Sequence, residues 1–109
     1  MIRTLPLFAV ASALLLSACN PCAERCRVES RKYDECLFGW GMEWADLGAE
    51  DQADFRKTCV ADENRYDDSL DPVSRSEERG LCADLNTELR AAADCDEVWE
   101  ALVGYGLIE

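Results

Sequence analysis

The 109-residue chain contains no histidine and only two lysines, Lys32 and Lys57. It therefore lacks the commonest general base and the commonest metal ligand of proteins, and it offers few amines for covalent catalysis. Paired-carboxylate catalysis needs two acids in a shielded cleft with separated pKa values, whereas the 23 acidic residues are scattered over charged segments. No uncharged apolar run reaches the roughly 20 residues needed to cross about 30 Å of hydrocarbon. No stretch alternates apolar and polar residues over the length of a strand, which argues against a sheet. The net charge of -12 repels polyanions, so nucleic acid is set aside as a partner.

What the chain does have begins at its N-terminus. One charge at Arg3 is followed by Leu5 to Leu16, broken only by Pro6 and Ser12, the pattern of a signal peptide. That segment ends Leu16-Ser17-Ala18-Cys19, an aliphatic residue, two small residues and a cysteine, and it resembles the lipobox of bacterial lipoproteins. The resemblance covers the signal segment alone. It implies that cleavage falls before Cys19, that the Cys19 thiol carries diacylglycerol, and that the new amine is acylated, typically by palmitate. Residues 1–18 would then be the signal peptide, 19–21 the lipidated cysteine and a short tether, and 22–109 the folded domain. Two or three acyl chains anchor stably where one does not. In Gram-negative lipoproteins an Asp after the lipidated cysteine favours the inner membrane. Here Asn20 follows, so the expectation for such a source is the outer membrane, facing the periplasm or the cell surface. The alternative is an ordinary signal peptide cut after Ala18, leaving Cys19 as a thiol.

Lipidation also accounts for the odd count of seven cysteines. Cys22, Cys26, Cys36, Cys59, Cys82 and Cys95 remain, and in an exported chain an even set reads as three disulfides. A domain this small needs them, because its own core is marginal. The intervals of 3, 9, 22, 22 and 12 residues lack the tight C-x2-C pairs of zinc sites, so no metal and no cofactor is expected. A six-cysteine helical plan is similar in outline to saposin-like domains, but the intervals differ and this chain is far more polar.

The periodicities predict an all-α fold, a small antiparallel bundle of three to four helices behind an N-terminal signal helix. Asn20-Pro21 reads as a helix start, with Cys26, Tyr33, Leu37, Trp40 and Trp44 on one face. A turn follows at Leu47-Gly48. A second helix, from about Asp51 to Arg65, has a thin apolar face around Phe55 and Cys59. Ser74-Arg75-Ser76-Glu77 matches a capping box ahead of Leu81, Leu85, Leu89 and Ala92. Asp94-Cys95-Asp96-Glu97 either restarts a short helix or continues the third. Six cysteines allow fifteen pairings. A hairpin turning at Leu47-Gly48 places Cys36 opposite Cys59, and nesting completes the set with Cys26–Cys82 and Cys22–Cys95.

Two stretches invite a functional reading. Asp67, Ser69, Asp71 and Glu78 fall at calcium-loop positions, but Pro72 stands where an EF-hand needs glycine and Arg75 occupies position nine. Phe38-Gly39-Trp40-Gly41-Met42-Glu43-Trp44 offers Trp40 and Trp44 either to the core or to a partner patch. The expectation is a lipid-anchored, acidic, non-enzymatic module at the cell envelope, structural or binding another envelope protein. The alternative is a carrier of small ligands or lipid. An adaptor predicts an exposed tryptophan-containing patch rimmed by acids, a carrier an apolar cavity, and an enzyme a cleft with two or more buried carboxylates.

Overall fold

Each helix starts where a short polar side chain accepts a backbone N–H from the first turn, satisfying a donor that has no partner inside the helix. Asn20 accepts from Cys22, Asp51 from Asp54, Asp71 from Ser74 and Asp94 from Glu97. The computed structural model describes residues 20–108. The expected signal helix and Cys19 lie outside the described residues. The elements are α1 (Pro21–Cys36), a 3-10 turn (Trp44–Leu47), α2 (Gln52–Ser69), α3 (Pro72–Ala91) and α4 (Cys95–Gly104). The fold is all-α; among the described residues there is no strand, and no helix is long and apolar enough to cross a membrane.

Three boundaries differ from expectation. α2 runs on to Ser69, one turn past the expected end at Arg65. α3 starts one turn before Ser74, because Asp71 is the cap and Pro72 fills the first helical position, where its missing N–H costs nothing. α1 stops at Cys36 instead of running on to Trp44. The Met42 amide donates to the Leu37 carbonyl and the Gly41 amide to Phe38, a Schellman closure with Gly41 at φ 70°.

α1 is the hub. It buries Cys22, Ala23, Cys26, Val28, Glu29, Ser30, Tyr33 and Cys36, and α2, α3 and α4 all pack on it. α2 runs antiparallel to it: Asn20 donates to Asn64 at 3.1 Å, and Gln52 donates to the Ser30 carbonyl. α3 runs in the same sense as α1, since Asn86 meets Pro21 and Arg90 meets Glu24. α4 then turns back, bringing Tyr105 to Glu88. The core gathers Val28, Tyr33, Leu37, Leu85, Leu89, Val98 and Leu102. Leu81, expected on the inward stripe of α3, faces solvent at 53 % exposure.

The three disulfides are Cys22–Cys82, Cys26–Cys59 and Cys36–Cys95, so each ties α1 to a different helix. None of the expected pairs, Cys36–Cys59, Cys26–Cys82 or Cys22–Cys95, forms. The early end of α1 gives residues 37–51 to the connection and moves the centre of the α1–α2 hairpin towards Met42, which sets Cys26 opposite Cys59. Because α3 runs alongside α1 in the same sense, Cys82 lies near the start of α1 and Cys95 near its end.

The turn between α2 and α3 is held by charge. Arg79 donates to both carboxylate oxygens of Asp67 at 2.8 Å, and Arg75 donates to the Asp67 and Leu70 carbonyls at 2.9 Å. The Arg79 hydrogen bonds hold the Asp67 carboxyl below its ordinary value. A lowered carboxyl stabilises the fold above its unfolded pKa, and that contribution is lost as the pH falls through the lowered value. Arg79→Ala should therefore cost about 1–2 kcal/mol at pH 7. Urea unfolding from pH 7 to pH 2 should show the gap to wild type closing in acid.

Candidate functional site

The segment after α1 builds an aromatic pole. Tyr33 stands at its centre, edge-on to Trp40, Trp44 and Phe55, with ring centroids 6.4, 6.3 and 5.3 Å away. Trp40 also meets Trp99 of α4 edge-to-face at 5.1 Å, beside the Cys36–Cys95 bridge. Such contacts add to the area that the rings bury. Trp40 and Trp44 are therefore half-buried, packed against the core on one side and open on the other.

Beyond them Phe38 is 96 % exposed, the extreme among the large apolar side chains of the described residues. The tight turn over residues 37–42 fixes its position. It borders a shallow groove of about 440 Å³ lined by Tyr33, Leu37, Met42, Trp44 and Glu50. A second depression lies between Trp40, Trp99, Asp96 and Glu100. Asp34 and Glu43 complete an acidic rim around the apolar centre.

A separate polar seam joins α1 to α2. Arg25 donates to Glu63 at 2.8 Å and lies 3.4 Å from Glu29, whose other oxygen accepts the Tyr33 hydroxyl at 2.8 Å. Glu29 is 4 % exposed. Burial raises its carboxyl above the ordinary value, partly offset by the Arg25 charge, and burial likewise raises the Tyr33 phenol. The adjoining cleft of about 290 Å³ is lined by Arg25, Glu29, Asp54, Phe55, Asp62 and Glu63, among others. Among these acids only Glu29 is buried, and its second oxygen is buried without a hydrogen-bond partner. In the sequence Arg25 and Glu29 look like surface charge, so the seam is not expected from it. The available signal was their four-residue spacing in line with Tyr33, which puts all three on one helix face.

The structure thus brings Trp40 and Trp44 into one patch, adds Phe38 and Trp99 to it, and places the six cysteines in bridges at the helix contacts. Asp67 and Asp71 of the suspected calcium loop serve an ion pair and a helix cap. Cys22, Cys82 and Glu78 cluster as metal ligands would, but the two sulfurs are bonded to each other. No protein-family model, no curated protein and no solved structure matches the chain.

Proposed function

We propose that the chain is a lipid-anchored, exported, non-enzymatic interaction module of the cell envelope, whose aromatic pole docks a basic envelope protein. The observation that carries this reading is Phe38, exposed beside half-buried Trp40, Trp44 and Met42 and ringed by carboxylates. A rigid apolar centre inside a charged rim is the anatomy of a protein interface. The rim selects a basic partner and steers its approach. Three disulfides support an oxidising compartment. The carrier alternative is less favoured, because Tyr33, Leu85, Leu89 and Leu102 fill the space between the helices and the clefts described open to solvent.

The test is photo-crosslinking in the native envelope, with a photoreactive phenylalanine analogue at position 38 and a control at Lys57. The expected result is an adduct to a basic protein at position 38 only, sensitive to salt. With the partner purified, Phe38→Asp should weaken binding about 30-fold, the effect of losing a 2 kcal/mol hot spot. Stability should change by less than about 0.5 kcal/mol, because the ring touches little. Equal adducts at both positions would sink the proposal.

A further inference from the structure

The end of the molecule opposite the aromatic pole also carries exposed apolar side chains, and its geometry constrains what covers them. Asn20 is buried, caps α1 and donates to Asn64, so the fold is fixed from that residue onward. If Cys19 carries the lipid, no slack separates the acyl chains from the domain, since one residue spans at most about 3.6 Å. Level with Asn20 and Cys22 stand Asn64 of α2 and Cys82 of α3. α2 continues from there to Ser69, and α3 begins at Pro72. At 1.5 Å per residue the α2–α3 turn projects roughly 8–15 Å past the start of α1, on the side from which the anchor leaves.

That projection carries little net charge. Residues 65–75 hold Arg65 and Arg75 against Asp67, Asp68 and Asp71, a net charge of -1 in a chain of -12. Asp67 is matched by Arg79. Val73 at 69 % and Tyr66 at 50 % exposure stand on it, and Leu81 lies just below. A tyrosine ring beside short apolar side chains suits the boundary between headgroups and acyl chains.

We infer that the α2–α3 turn rests in the neutral-headgroup layer of the bilayer that holds the Cys19 anchor. This rests on the proposed lipidation. The lipid and the turn then form two points of support, and they hold the domain with its aromatic pole facing away from the membrane. α1 alone sets that pole about 24 Å from Asn20.

The test uses residues 19–109, oxidised and coupled through the Cys19 thiol to a dialkyl maleimide, in phosphatidylcholine vesicles. The fold described is built from residues 20–108. Hydroxyl-radical footprinting then reads Tyr66 and Phe38 in the same sample, so that scavenging by lipid cancels in their ratio. Relative to the uncoupled chain in solution, Tyr66 labelling should fall about threefold or more against Phe38. An unchanged ratio, or protection of Phe38 instead, overturns the docking whatever the fate of the anchor. The mass of the chain extracted from native membranes decides the anchor separately: an unacylated Cys19 ends the lipoprotein reading and removes the docking from the cell.

Discussion

Full reduction of the three disulfides should abolish cooperative folding at room temperature, leaving weak residual helicity and no thermal transition. Cys22–Cys82 and Cys36–Cys95 bridge residues 60 and 59 apart in sequence, and Cys26–Cys59 residues 33 apart. Loops of this size restrict the unfolded chain by about 4 kcal/mol each. Their sum is comparable with the whole stability of a small domain, about 5–15 kcal/mol. The apolar core cannot replace them, because α2 buries no apolar side chain fully and depends on Cys59, Phe55 and the Arg25 seam. Removing only Cys26–Cys59 by paired alanines should free α2 while α1, α3 and α4 keep their shared core. Circular dichroism with and without reductant checks the first result, and amide exchange over residues 52–69 checks the second. A reduced chain that still melts cooperatively would contradict the argument.

The second large effect is expected at Arg25. Its guanidinium stands between buried Glu29 and Glu63. Arg25→Ala leaves Glu29 enclosed without its counter-charge, and breaking a buried pair from one side costs about 3 kcal/mol. The pH dependence identifies the cause. Burial raises the Glu29 carboxyl above its ordinary value of 4.5, so the folded state keeps a proton that the unfolded state has released. Stability from this group is therefore greatest in acid and declines as the pH rises from about 4.5 through the raised value. Arg25→Ala removes the opposing charge and should widen that window, making the variant much weaker at pH 8 than at pH 5. Glu29→Gln in the Arg25→Ala background should restore most of the loss at pH 8. Urea unfolding of the three proteins at both pH values decides. An equal deficit at pH 5 and pH 8 would assign the cost to lost packing. In the wild type the sign is opposite to that of Asp67, yet both variants fall further behind as the pH rises, because each loses an arginine that favours the ionised carboxylate.

Helix class and most helix starts were legible because they depend on local chemistry. Asn20-Pro21 and Asp51 each announce a helix within a few residues, whereas Asp94 left a restart and a continuation equally open. The disulfide pairing was not legible, because it depends on where α1 stops. Trp40 and Trp44 continue its apolar spacing, yet Gly41 reverses the backbone and spends residues 37–51 on a turn and a 3-10 segment. Ending the helix there changes every facing pair downstream. The aromatic patch is half visible in sequence: the tryptophans stand out by spacing, the phenylalanine only as part of the same aromatic run. The Glu29 seam was hidden for another reason. Burial of a charge is decided by the helix that covers it, and α2 comes to this side of α1 through Glu63 on Arg25 and Cys59 on Cys26, both more than thirty residues away.

All three bridges radiate from one helix, and this has a consequence for biosynthesis. A ribosome delivers Cys22, Cys26 and Cys36 before any cysteine with which they belong. Every disulfide that an early oxidant can make is consequently a wrong one, and Cys22 and Cys26 are held one helical turn apart. Cys59 first permits a correct bond, Cys82 the next, and Cys95 the last. Premature links must be undone by thiolate attack before α1 can receive its neighbours. Reaching the native pairing thus calls for thiol–disulfide exchange as well as oxidation.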